Sequence, residues 1–211
     1  MSTVQGEPVA AAASEHQIAG RSLGWWGMIF FITSEALIFA NLIASYLYLE
    51  IRNIGGPFAF KLPSGDYLDY IFPLFNTLIL LSSSIPVRIA GAGIARGNRR
   101  NLVLGLLGTI VLGSIFLAGQ VYEYTNLVAH HFTVNYGAFG SAFYTLTGFH
   151  GLHVSVGLLF LLVIFIRSLR GDFTAKDHFA VQAGEMYWHF VDFVWVFVVS
   201  TVYLLPLLLR P

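Results

Sequence analysis

With 211 residues, of which 56% are hydrophobic and only 10% charged, this chain is too apolar for a water-soluble domain of its size. Its 11 basic and 11 acidic residues cancel, which leaves no charge surplus for binding nucleic acid. Cysteine is absent, so disulfides, thiolate metal sites and thioether-linked haem are excluded.

The apolar residues come in runs of about twenty or more, the length that crosses a bilayer. The pattern predicts an all-α fold: a polytopic membrane helical bundle with five transmembrane helices. Residues 1–21 carry Glu7 and Glu15 and no basic residue before Arg21, which does not fit a secretory signal. Their Ala-rich, polar composition predicts a mobile tail, and residues 22–211 form the single membrane domain.

The first segment runs from about Leu23 to Glu50 and starts with Trp25 and Trp26, a pair suited to the membrane interface. Ala36, Ala40 and Ala44 make a stripe of small residues where another helix is expected to approach. A turn-rich loop follows, with Gly55-Gly56-Pro57 and Pro63-Ser64-Gly65-Asp66. The second segment, about Tyr70 to Ala95, holds Pro86 deep inside and is expected to kink there, because proline has no N–H to donate. Ser82, Ser83 and Ser84 are candidates for satisfying the freed carbonyls. Arg96, Arg99 and Arg100 mark a short turn into the third segment, about Asn101 to Asn126, with Gly105, Thr109 and Gly113 as its close-packing stripe. The fourth runs from about Gly137 to Arg167 and the fifth from about His178 to Leu208, with Pro206 ending it.

Ionisable groups are expensive at membrane depth and should face protein, water or headgroups rather than acyl chains. Three sets stand out. Glu35 lies about twelve residues into the first segment with no basic residue nearby in sequence. Either it is a protonated carboxyl bonded to a neighbouring helix, or it belongs to a proton relay or touches a lipid headgroup. His150 and His153 stand at i, i+3 in the fourth segment, while Glu185, His189 and Asp192 stand at i, i+4 and i+7 in the fifth. Glu123 is a further carboxyl near the end of the third. The spacings match neither the zinc-protease nor the di-iron pattern. The expected role of Glu123, His150, His153, Glu185, His189 and Asp192 is therefore a polar interhelical network, with no metal site and no catalytic residue.

Eight basic residues fall at one set of segment ends and three at the other, together the chain's 11. The richer set holds Arg21, Arg88, Arg96, Arg99, Arg100, Arg167, Arg170 and Lys176, which predicts a cytoplasmic N-terminus. Arg88 is long enough to snorkel to the interface, and the Arg167 guanidinium suits a lipid phosphate.

At this point the chain resembles a known family, subunit III of the haem-copper terminal oxidases. The matching stretches are Gly27–Phe39, Pro73–Thr77, Gln120–Glu123, Tyr136–Ser141, Thr147–Val154 and Tyr187–Asp192, in family order. The Gly-Phe-His-Gly-Leu-His-Val and Tyr-Trp-His-Phe-Val-Asp runs are the most specific. The resemblance implies the last five of the seven helices of longer members, as in the shorter bacterial forms. It implies a subunit of an aa3-type cytochrome c oxidase of the aerobic respiratory chain, in a bacterial cytoplasmic membrane. Such a subunit has no redox centre. It packs mainly on subunit I, beside subunit II, which hold the haems and copper. It binds phospholipid and supports proton uptake and the integrity of the complex. Glu35 matches the family's intramembrane glutamate and Arg167 a headgroup-binding position. Gln182 departs from a frequent Glu, and Glu185 stands one turn later where a small residue is usual. A quinol oxidase subunit III is the alternative within the family. Outside it, a proton-coupled transporter would use Glu35 and His150, and a membrane metalloenzyme would use His150, His153, Glu185 and His189.

Overall fold

The structure is a computed structural model that describes residues 17–18, 21–52, 61–65 and 68–209. Residues 1–16 of the expected tail, the Gly55-Gly56-Pro57 turn, Asp66 and Arg210 lie outside the described residues. Ahead of the first helix, strands β1 (Gln17–Ile18) and β2 (Arg21–Ser22) pair antiparallel, with Gln17 opposite Ser22.

Among the described residues five segments are long and apolar enough to cross a membrane: Leu23–Ile51, Ile71–Ala95, Arg99–Ala129, Gly137–Arg170 and Phe179–Leu209. Three are single helices, α1 (Leu23–Ile51), α4 (Arg99–Ala129) and α5 (Gly137–Arg170). At about 1.5 Å per residue each exceeds the ~30 Å hydrocarbon core, so their ends project into the headgroups. The second span is broken at Ser83 into α2 (Ile71–Ser82) and α3 (Ser84–Ala95). The fifth is α6 (Phe179–Val199), one π turn over Ser200–Leu204, and α7 (Leu205–Leu209). Pro206 therefore does not end this span. Lacking an N–H, it is accommodated just after a widened turn, and the helix resumes around it.

The spans alternate in direction. The ring of Phe179, at the start of α6, packs against Gly24 at the start of α1. At the same end Arg99, which opens α4, donates from Nε to the Ser168 carbonyl at 3.0 Å and from its guanidinium to that of Leu169. Both carbonyls belong to the last turn of α5, and that of Ser168 also accepts from the Gly171 N–H at 3.2 Å. Gly171 closes α5 at φ 87°, a left-handed cap that suits glycine.

Without water to drive apolar groups together, such helices associate by close packing and interhelical hydrogen bonds. Both are concentrated around the break in the second span. A Cβ on Gly105 would lie 2.5 Å from the Pro86 carbonyl oxygen, so the backbones of α3 and α4 nearly touch. A Cβ on Gly113 would lie 2.6 Å from the Trp188 ring. Pro86 has no N–H to give the Ser82 carbonyl four residues earlier. The neighbouring Ser83 carbonyl, at the break, takes a bond from Thr109 Oγ1 on α4 at 3.4 Å. The serines do not fill that role as the sequence suggests. Ser82 and Ser83 donate instead to the Ile79 and Leu80 carbonyls, and Ser84 turns toward α6. Two indoles seven residues apart on α6 set its register: Trp188 donates to Ser83 Oγ at 2.8 Å, and Trp195 to Thr77 Oγ1 at 2.9 Å.

The outward faces carry Phe30, Leu37, Leu104, Leu152 and Leu159, all exposed, as a lipid solvent requires. The alanine stripe of α1 is not a helix contact. Ala36, Ala40 and Ala44 instead line an open apolar groove of about 520 Å³, closed on the other side by Phe190, Phe193, Val194 and Phe197 of α6. Small side chains on α1 make room there, and the facing phenylalanines leave it unfilled.

Candidate functional site: three polar clusters in an apolar bundle

The expected network resolves into three separate clusters and one isolated histidine. The first joins α1 to α5. Glu35 Oε2 lies 3.0 Å from His153 Nε2, with side chains 20% and 13% exposed. The other ring nitrogen, Nδ1, is 2.7 Å from the Phe149 carbonyl. A carbonyl only accepts, so Nδ1 carries a hydrogen. The remaining contact then holds one shared proton, either as a carboxylic acid donating to a neutral imidazole or as a carboxylate facing an imidazolium. Both forms are neutral overall, which is what membrane depth requires. The sequence shows no basic neighbour for Glu35 because its partner is 118 residues away. Phe39 covers the pair, its ring 4.8 Å from that of His153, and Tyr187 of α6 donates to the His153 carbonyl at 3.2 Å.

The second cluster joins the broken span to α6. Ser84 Oγ donates to Asp192 Oδ2 and lies 3.2 Å from His189 Nδ1. With its hydrogen committed to the carboxyl, Ser84 accepts from Nδ1–H. The donor order is thus His189, Ser84, Asp192. Glu185 Oε1 stands 3.8 Å from His189 Nε2, an ion-pair distance beyond hydrogen-bond reach. Glu185 packs over Gly91 of α3, where a larger residue would displace it. The i, i+4, i+7 spacing does place these three side chains along one side of α6, while Ser84, which joins two of them, is marked by the sequence only as a candidate partner for backbone carbonyls.

The third cluster lies at the opposite end from the arginines. Tyr203, on the π turn, donates to Glu123 Oε1 at 2.6 Å. Thr147 donates to the Phe143 carbonyl at 2.7 Å, so the Tyr124 hydroxyl donates to Thr147 Oγ1, also at 2.7 Å. A cavity of about 180 Å³, lined by Asp69, Phe72, Tyr122 and Glu123 among others, opens onto it. Glu50, buried at the end of α1 one turn from Tyr46, is a carboxyl that the sequence patterns do not single out.

His150 joins none of these clusters. It is 0% exposed and stacks on Trp195 with ring centroids 4.5 Å apart, between Phe39 and Phe116. Among the described residues neither ring nitrogen has a hydrogen-bond partner. The expected interhelical bond at His150 is replaced by aromatic packing. No three His, Asp or Glu side chains converge as metal ligands among the described residues. Arg167 sits half exposed at the end of α5, its Nε 3.1 Å from Asp172 Oδ2 and its guanidinium 5.0 Å over the Phe173 ring. Arg88 is exposed on α3.

An apolar bundle of five spans with polar clusters between its helices defines the class of polytopic helical membrane proteins. Residues 9–206 match the cytochrome c oxidase subunit III family. The chain is 41% identical over 180 residues to "Cytochrome c oxidase subunit 3" of Loxodonta africana, covering 84% of this chain and 68% of that one. It is 39% identical over 183 residues to the Homo sapiens protein of the same name, with the same coverage. To that of Thermostichus vulcanus it is 37% identical over 180 residues, covering 85% of this chain and 86% of the relative. The chain belongs to the cytochrome c oxidase subunit III family.

Proposed function

We propose that this chain is subunit III of an aa3-type cytochrome c oxidase in a bacterial cytoplasmic membrane, with its N-terminus in the cytoplasm. It carries no redox centre. It packs on subunit I, beside subunit II, and those partners hold the haems and copper. Its own work is to bind phospholipid, to hold the complex together and to support proton uptake. The observation that carries this reading is the family match over residues 9–206.

Three features of the bundle support the division of labour. The groove between α1 and α6 is long, apolar and open, a shape that takes an acyl chain. Glu185 and His189 are partly exposed on the flank of α6, where a polar group from a partner helix would relieve the cost of their exposure to lipid. The Glu35–His153 contact at 3.0 Å places a carboxyl and an imidazole together inside the bundle, an arrangement that suits proton traffic beside an oxidase core.

The test is purification of the tagged chain in mild detergent. Co-purification of haem-containing larger subunits, with oxygen consumption driven by reduced cytochrome c, is the expected result. A complex driven only by quinol would identify the quinol-oxidase form. A chain that purifies alone and carries proton-coupled solute flux in vesicles would overturn the assignment.

A further inference from the structure

The outer faces of α4 and α5 present Leu104, Val111, Leu152 and Leu159 to lipid. The flank where α3 meets α6 is different. A row of four polar side chains runs along it: Glu185 lies 3.8 Å from His189, His189 Nδ1 lies 3.2 Å from Ser84 Oγ, and Ser84 bonds Asp192. Asp192 is buried, but the side chains of Glu185 and His189 are 27% and 36% exposed. Ionisable groups on the outward side of a membrane helix call for a polar neighbour.

The donor order fixes what that neighbour has to offer. Ser84 gives its hydrogen to Asp192, so His189 donates from Nδ1 and its neutral ring presents Nε2 as a lone pair. The Glu185 oxygen opposite is an acceptor as well. The two stand too far apart to bond each other and close enough for a single donor group to reach both. Glu185 is held in this place, its Oε2 packed against Gly91 of α3. Positive charge is already present on the flank. Ser84 and Gly91 both meet α6, and Arg88, exposed, stands between them on the same side of α3. Among the described residues Glu185 is paired with His189 and not with Arg88. The group that fits the two acceptors is therefore a neutral N–H or O–H donor, an amide or a hydroxyl.

We infer that this flank seats a transmembrane helix of another chain of the complex, whose side-chain amide or hydroxyl bonds Glu185 and His189 together. The inference rests on the reading of this chain as a subunit, and adds which face meets a partner and what chemistry the partner brings there. Depth selects a helix over a lipid headgroup. His189 lies ten residues and Asp192 thirteen beyond Phe179, the start of α6, about 15 and 20 Å along its axis. Phosphates lie at the span ends, so a headgroup meets Arg88, about 10 Å before the end of α3 and able to snorkel, but not His189. Hydrogen bonds between helices at this depth are one of the ways in which membrane helices associate. Apolar packing surface lies on either side of the row. Ile85, 64% exposed, adjoins Ser84, and Val196, 39% exposed, stands one turn beyond Asp192.

The test places a photo-crosslinking amino acid at Ile85 or at Val196 in the intact complex, with the same probe at Leu159 on α5 for comparison. The expected result is that both flank positions join one second chain, in a transmembrane segment that carries Asn, Gln, Ser or Thr within a turn of the attached residue. Leu159 should not join that segment. Flank probes that capture only phospholipid, a partner segment without such a donor, or equal capture from Leu159 each overturn the proposal. A second reading comes from a stringent detergent wash. Glu185→Ala removes one acceptor and should lower retention of the crosslinked chain about threefold or more, the effect of one lost hydrogen bond. Gly151→Ala should leave retention unchanged. Equal retention in the two variants would dismiss the donor at Glu185, and should Glu185→Ala fail to fold, the crosslinks decide. If no other chain co-purifies, the subunit reading falls and this inference with it. An intact complex whose flank meets lipid alone removes this inference and leaves the subunit reading standing.

Discussion

At Glu35 the chain solves a problem that faces any carboxyl in a membrane helix. It finds a single partner, His153, whose other nitrogen is committed to a backbone carbonyl. The pair therefore needs one hydrogen between its two members and no outside counter-ion. Glu35→Gln keeps a group that can bond Nε2, whereas Glu35→Ala leaves that nitrogen unpaired on a largely buried ring. We expect Glu35→Gln to stay within about 0.5 kcal/mol of the original stability and Glu35→Ala to lose about 1–2 kcal/mol, measured by heat-induced unfolding in detergent. Equal losses in the two variants would remove the pair from the stability account. Arg167 gives a second prediction at this scale. Asp172 holds its Nε and the Phe173 ring lies 5.0 Å from its guanidinium, which stays half exposed at the span end, a position suited to a lipid phosphate. Arg167→Ala should lower the anionic phospholipid retained on purification, and Arg167→Lys should restore only part of it because ammonium lacks the fork. Mass spectrometry of bound lipid that shows an unchanged complement in Arg167→Ala would dismiss the site.

Between elements, the decisive contacts are those where a backbone stands in the way. A methyl on Gly105 would meet the Pro86 carbonyl and the Ala90 amide, neither of which can rotate aside. Gly113 faces the edge of Trp188, whose indole is fixed by its bond to Ser83. Gly151, on α5, has nothing within 4 Å of where its Cβ would be. Gly105→Ala is expected to cost about 1–3 kcal/mol by overpacking, while Gly151→Ala stays within about 0.5 kcal/mol. Unfolding midpoints of the two variants side by side make the comparison, and a neutral Gly105→Ala would mean that α3 and α4 can separate freely. The break at Ser83 belongs to the same seam. Thr109 on the next helix bonds the Ser83 carbonyl at the break, and the kink is thereby tied to the α4 contact rather than left to flex.

For the whole molecule the open quantity is direction. The short α3–α4 turn and the end of α5 bring Arg96, Arg99, Arg100, Arg167 and Arg170 to one end of the bundle, the end that the proposed orientation assigns to the cytoplasm. The chain contains no cysteine, so single cysteines report sidedness directly. In right-side-out vesicles an impermeant thiol reagent should label Asn135→Cys and spare Arg96→Cys until the membrane is opened. Both positions are exposed, so access to the reagent is set by the side of the membrane. The reverse pattern would turn the bundle over.

Span number, the approximate limits of each helix, the kink near Pro86 and the candidate ionisable residues were all readable in the chain. They follow from local rules: the length of an apolar run, the missing N–H of proline, the rarity of charge in lipid. The two most specific runs were also enough to suggest the family. What no local rule could supply was pairing. The helical period places His150 and His153 within one turn of each other, yet tertiary packing gives one a carboxyl and the other an indole face. The Ala36–Ala40–Ala44 stripe obeys the small-residue rule for helix contact and lines a groove, because Phe190 and Phe193 on α6 hold that side open. Tyr203 completes one polar cluster without any mark in the sequence, and Ser84, expected to serve a backbone carbonyl, completes another. A hydroxyl gains meaning only from what lies within about 3 Å of it, and in this bundle some of those neighbours come from segments more than a hundred residues away.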